Sequence, residues 1–192
     1  MTKITFSLLV AIVYSLPVQA SWTLNDDEST LSFISTKAVN VAEIHKFTTL
    51  SGGVDDTGNV MVSIALASVD TGIEIRDDRM REMLFDTENY SSATMTAQVN
   101  MTMLDDLASG DSQTMAVEGE LALHGQSTAM TFEVVVARMS NGNLLVMSEK
   151  PVVVNAPLFN LADGVEALRE IAGLPSISAA VPVSFVLSFD AD

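Results

Sequence analysis

The sequence predicts an all-β domain, a barrel or sandwich of about eight antiparallel strands. Three observations carry this reading. Apolar and polar residues alternate with a period of two in one run after another, the pattern of half-buried strands. Turn chemistry separates the runs, with "DDTGN" at 55–59, "SGDS" at 109–112, "HGQS" at 124–127 and "SNGN" at 140–143. No long linker, internal repeat or low-complexity stretch divides the 192 residues, a length suited to a single domain.

The first twenty residues, "MTKITFSLLVAIVYSLPVQA", stand apart from that pattern. Lys3 supplies a basic start, Ile4 to Leu16 an apolar core, and Val18-Gln19-Ala20 a small-residue cleavage signal. This is the form of a secretory signal peptide, cut after Ala20. The domain is then expected over 21–192, beginning Ser21-Trp22. No later stretch reaches the length of a membrane span.

The strands follow in order. Leu31, Phe33 and Ser35 form a weak first alternation. "NVMVSIALASV" puts Val60, Val62, Ile64 and Leu66 on one face, and "ATMTAQVNM" does the same with Ala93, Met95, Ala97, Val99 and Met101. "MAVEGELALHG" aligns Met115, Val117, Leu121 and Leu123, interrupted at Gly119, where a bend or a close backbone approach is expected. "AMTFEVVVA" gives Met130, Phe132, Val134 and Val136, and "VPVSFVLSF" gives Val181, Val183, Phe185, Leu187 and Phe189. Two segments carry a helical rhythm instead. Residues 76–85 space Met80, Met83 and Leu84 along one face, with Asp77 and Asp78 early, where the helix dipole favours acids. Residues 161–172 run into Gly173, a natural helix stop, with Pro175 just beyond.

Composition narrows the function. The net charge of −16 repels phosphate backbones and anionic headgroups, which argues against nucleic acid as a partner. Yet 48% of residues are hydrophobic and the mean hydropathy is +0.33, so an acidic exterior encloses much apolar material. The absence of cysteine excludes a disulfide framework, a thiol nucleophile and a lipidated N-terminal Cys. A closed sheet of about eight strands leaves an interior for side chains or one small ligand. Methionine, adaptable at apolar binding surfaces and equally a gap-filler in cores, recurs through the patterned segments. On pattern alone an ordinary packed core is the simpler reading.

Candidate chemical sites are few. Arg76, Arg79 and Arg81 lie among Asp70, Glu74, Asp77, Asp78, Glu82 and Asp86 in "SVDTGIEIRDDRMREMLFD". No nucleophile motif accompanies them, so a structural ion-pair network is expected, with Asp77 and Arg81 at i,i+4 spacing. Only two histidines occur, His45 and His124, too few for a rich metal site even with Glu43 or Glu120. "DDTGN" lacks the spacing and distal Glu of a calcium loop. "NYS" at 89–91 and "NMT" at 100–102 are glycosylation sequons relevant only to a eukaryotic secretory route. No G-x-S-x-G, H-E-x-x-H or phosphate loop is present, and neither an enzyme nor a metal centre is expected.

The stretch at 68–86 also resembles the YceI-like family of exported polyisoprenoid-binding, lipocalin-like proteins. The matching elements are Ser68-Val69-Asp70-Thr71, Arg76-Asp77, the Arg79–Leu84 turn and Phe85-Asp86. Gly119, Leu121, Leu123 and Gly125 match the family's Gly-x-Leu-x-Leu-x-Gly hairpin, and Phe33 and "LSG" at 50–52 fit its first strands. The chain departs at Tyr90-Ser91, where the family has Tyr-Pro, and at His45-Lys46-Phe47, where it often has Gly-x-Phe; the helical insert at 161–173 is also longer.

The resemblance implies an elongated, antiparallel, lipocalin-like barrel enclosing an apolar channel for a long isoprenoid or similar lipid, a quinone among them, in the periplasm. It implies an interior of Phe33, Val62, Ile64, Met95, Leu121, Leu123, Met130 and Phe132, with Phe47, Met83, Leu84 and Phe85 near one mouth. The expected partner is an apolar lipid bound without covalent attachment, with no stable membrane insertion and with a homodimer left open. A stress-related scaffold without lipid and an enzyme acting on a lipid-like substrate are the alternatives.

Overall fold

The computed structural model describes residues 20–192; the expected leader at 1–20 lies outside them except for Ala20. Among the described residues eleven strands form one antiparallel sheet. They are β1 (Ala20–Lys37), β2 (Val41–Phe47), β3 (Leu50–Asp55), β4 (Asn59–Ala65), β5 (Val69–Asp70), β6 (Ser92–Gln98), β7 (Ser112–Leu123), β8 (Gln126–Arg138), β9 (Leu144–Ser148), β10 (Val152–Asn155) and β11 (Ala180–Ala191). Eight of them close a ring in the order β1-β3-β4-β6-β7-β8-β9-β11, because β11 pairs back onto β1 from Trp22↔Ala191 to Phe33↔Val183. The sequence expectation of about eight strands corresponds to this ring. At one end β2 and the short β5 extend the sheet from β1, and β10 extends it from β11.

Register follows the alternation. Val62 pairs with Met95 and Met95 with Leu121, so the apolar faces of β4, β6 and β7 meet on the same side. The β7–β8 hairpin turns at His124-Gly125, both at positive φ (49° and 74°), a two-residue turn whose twist suits the strands it joins. Asp55 orders the β3–β4 turn by accepting from the Asn59 side-chain amide and the Thr57 hydroxyl at 2.7 Å each. These two bonds chiefly hold its carboxyl at a pKa of about 2, and the Asn59 and Thr57 backbone amides add to it at 2.9 Å each. At Gly119 an added Cβ would fall 2.6 Å from the Thr96 carbonyl oxygen and 3.2 Å from the Phe132 ring. The expected close approach is therefore real, and its beneficiary is the phenylalanine.

Both expected helices form, close to their anticipated bounds. The first runs as α1 (Glu74–Arg79) and continues as a wider π-type turn, Met80–Leu84. The other is α3 (Ala162–Ile171), after which Gly173 takes φ 62°. Between them lies a helix that the alternation concealed, α2 (Met101–Asp105). Met101 was expected on a strand; β6 instead ends at Gln98, and Asn100 caps α2 by accepting from the Thr102 amide at 3.0 Å.

These helices stopper the two ends of the ring. Leu104 of α2 and Leu107 just beyond it join Trp22, Leu24, Val54, Val134 and Leu144 in a buried cluster at one end. Met80, Phe85, Phe159 and Leu161 join Phe33, Leu66, Leu121 and Leu123 in another beneath α1 and α3. Among the described residues no helix is long and apolar enough to cross a membrane.

Candidate functional site: an apolar chamber beneath two helices

The inward faces do not fill the ring. Under the π-turn and α3 lies a cavity of about 170 Å³. Every side chain around it is apolar, with aromatic rings from Phe33, Phe47, Phe85, Phe132 and Phe185. A chamber without a polar group offers no anchor for charge or directed hydrogen bonding. Its chemistry is the removal of hydrocarbon from water.

Ten of the twelve residues expected to line a channel do face this cavity: Phe33, Phe47, Val62, Ile64, Leu84, Phe85, Met95, Leu121, Leu123 and Phe132. Met83 and Met130 are not on its wall. Met83 lies on the π-turn at the place where α3 crosses, its carbonyl 2.7 Å from where a Cβ on Gly164 would stand. Met130 is half-buried and packs against both clusters, paired across the hairpin with Gly119. The sequence reading missed Leu161 and Val165 of the α3 segment and Val152 and Val154 of β10 as wall residues. For Val152 and Val154 the only signal is the short valine run in "PVVVN" at 151–155, which sets no period.

The lid is lightly held. None of the α3 residues is fully buried, and the helix meets the body of the protein chiefly through the π-turn. Gly164 makes the contact, where an added Cβ would lie 2.8 Å from the Leu84 Cα. Arg169 secures the far end by donating to the Leu174 carbonyl at 2.7 Å and pairing with Glu166.

Charged groups gather beside the chamber and outside it. Arg76 donates from Nη1 to Glu43 at 2.6 Å, from Nε to the Thr71 hydroxyl at 2.8 Å and from Nη2 to the Thr71 carbonyl at 2.7 Å. Asp77, buried, accepts from the Thr71 amide at 2.9 Å and from its hydroxyl. The arginine–aspartate pair thus clamps the β5–α1 corner, as a structural network would. The expected Asp77–Arg81 pair does not form: Asp77 turns inward to Thr71, and Arg81 pairs with Asp78 at 2.7 Å. Glu43 is held below the usual carboxylate range by the Lys37 ammonium at 2.8 Å and by Arg76.

His45 occupies the seam between polar corner and chamber. It is 4% exposed, shares a hydrogen bond of 2.8 Å with the Ser35 hydroxyl through Nε2, and packs at 5.3 Å on the Phe33 ring. Burial lowers its pKa below the ordinary 6.5, and the nearby Arg76 charge acts in the same direction. His124 packs against Tyr90 at its hairpin, the rings tilted by 49° with centroids 4.3 Å apart. Among the described residues no three His, Cys, Asp or Glu side chains group as a metal ion requires.

Known proteins place this architecture. A solved polyisoprenoid binding domain from Saccharophagus degradans, implicated in plant cell wall breakdown, is 37% identical, with a TM-score of 0.89 over 91% of this chain and 100% of that one. Burkholderia cenocepacia BcnA is 21% identical, with a TM-score of 0.66 over 86% of this chain and 98% of that one, a likeness of fold. No curated protein matches. The model of the YceI-like domain matches residues 22–189, and the chain therefore belongs to the YceI-like family.

Proposed function

We propose that this protein is an exported, periplasmic carrier that holds a long isoprenoid or similar apolar lipid, a quinone included, inside its barrel for transport or storage. The observation that carries the reading is the wholly apolar chamber of about 170 Å³ in the ring interior. The likeness to a polyisoprenoid binding domain at 37% identity supports it, and so does the leader-like N-terminus. An isoprene unit presents on the order of 100 Å² of apolar surface, so each unit buried contributes roughly 2.5 kcal/mol. A few units offset the cost of ordering the chain without any charged anchor. The ligand is retained by hydrocarbon burial, and no catalytic step is assigned.

Solvent extraction of the protein purified from the periplasm, followed by mass spectrometry, tests this reading. The expected result is a prenyl lipid near one equivalent per chain. Protein that yields none, and takes up none when offered a polyprenol, is instead an empty scaffold.

A further inference from the structure

The chamber under the lid is not the only void. A second cavity of about 70 Å³ lies deeper in the ring, and it too has only apolar side chains around it. Five residues border both cavities: Val62 on β4, Met95 on β6, Phe132 on β8, and Phe185 and Leu187 on β11. They form a collar between an outer and an inner chamber. The inner chamber is blind, ending at Val99, Leu104 of α2 and Leu144.

Resting on the lipid-carrier reading, we infer that Met95 and Phe132 form a yielding gate in this collar, which selects flexible linear polyprenyl chains by length. The outer chamber alone is close in size to an engineered cavity of about 150 Å³ that binds benzene, room for about one or two isoprene units. A longer chain needs more space, and the nearest apolar space lies through the collar.

The collar's members differ in how they can move. Val62 is β-branched and almost fully buried, so its rotamer is fixed by its surroundings. Met95 is unbranched and half-buried, with three rotatable bonds. Phe132 is buried too, but its ring edge lies over Gly119, where there is no side chain to block its turning. A linear polyprenyl chain passes when these two turn aside, whereas a rigid fused-ring lipid is stopped. The blind end has no polar group, so the chain threads hydrocarbon end first and leaves its polar end at the lid.

The test compares two prenyl alcohols on delipidated protein by titration calorimetry: geraniol, with two isoprene units, and geranylgeraniol, with four. Wild type is expected to bind the longer alcohol at least about tenfold tighter. Val136→Phe fills the inner chamber from β8 without touching the outer one. It should remove most of that preference and leave geraniol within about twofold. Val146→Phe supplies the same plug from β9 should the first variant not melt cooperatively. Undiminished geranylgeraniol affinity in a folded plug variant overturns the gate while leaving the carrier reading standing. Failure of wild type to bind either alcohol, whether added to the folded protein or present while it refolds, overturns the carrier reading, and the gate with it.

Discussion

Gly164 of α3 and Leu84 of the π-turn meet backbone to backbone, leaving no room for a methyl group between them. Gly164→Val would drive a branched side chain into the Met83 carbonyl and the Leu84 Cα, neither of which is the free end of a side chain. The lid should separate, with a loss of about 1–3 kcal/mol seen in thermal unfolding and faster exchange of a bound apolar dye. An unchanged melting temperature would show that α3 is not seated as described.

The wall of the chamber makes a second prediction. Ile64 faces the cavity, and Ser63 points to the other side of β4. A carboxylate at 64 meets an uncompensated desolvation cost of several kcal/mol when lipid fills the space. Ile64→Asp and Leu123→Asp should lose co-purifying lipid while Ser63→Asp keeps it, compared among variants that pass a folding check by circular dichroism. Equal lipid content in Ile64→Asp and Ser63→Asp would place the lipid elsewhere.

The β5–α1 corner should behave as a stability element. Asp77→Ala leaves the Thr71 amide without its carboxylate, at a cost of about 1–3 kcal/mol. Urea denaturation should register that loss, while lipid per folded molecule stays the same. A variant that kept its stability but lost all lipid would make Asp77 a ligand contact.

Acid should reach the fold first through His45. Its folded pKa lies below the ordinary 6.5, so the unfolded chain binds the proton more readily, and stability falls as pH drops from about 7 toward 5. Glu43, with its pKa lowered from 4.5, adds its own loss only as pH falls further, through the carboxylate range. The groups around the imidazole are Ser35, Lys37, Glu43, Asp70, Arg76 and Asp77, and of these none has an ordinary pKa between 5 and 7. His45→Phe should therefore flatten the melting-temperature profile between pH 7 and 5. An unchanged slope would assign the acid sensitivity to another group.

Much of this was legible in the sequence because strand alternation is a direct record of which side faces the interior. Period two puts Val62, Ile64, Met95, Leu121 and Phe132 on one face of their strands, the family resemblance turns that face inward, and the ring's register brings them together. What alternation cannot record is a contact across the ring or an element too short for a period. The closing role of α2 hid behind methionines that continue the β6 pattern, although Asn100 is a recognisable cap. The collar was also out of reach. Its members lie on β4, β6, β8 and β11, and only the closure of the ring sets Val62 near Phe185. Likewise Asp77 and Arg81 have good helical spacing, but Thr71 offers the buried carboxylate a better partner than an exposed guanidinium does.

The pairing of β1 with β11 bears on how such a barrel can be filled. The first strand pairs with the last: Trp22 meets Ala191 across almost the whole length of the domain. Contacts so distant along the chain are slow to form, because the entropy of closing the loop is lost before the contact rewards it. Until β11 docks, the other seven ring strands can form at most an open, curved sheet with its oily face bare. A lipid present at that moment can be wrapped by the closing clasp, without threading past α3 and the π-turn. Refolding in the presence of a polyprenol, compared with adding the polyprenol after refolding, separates the two routes. Wrapping yields stoichiometric uptake only in the first case, and threading yields it in both.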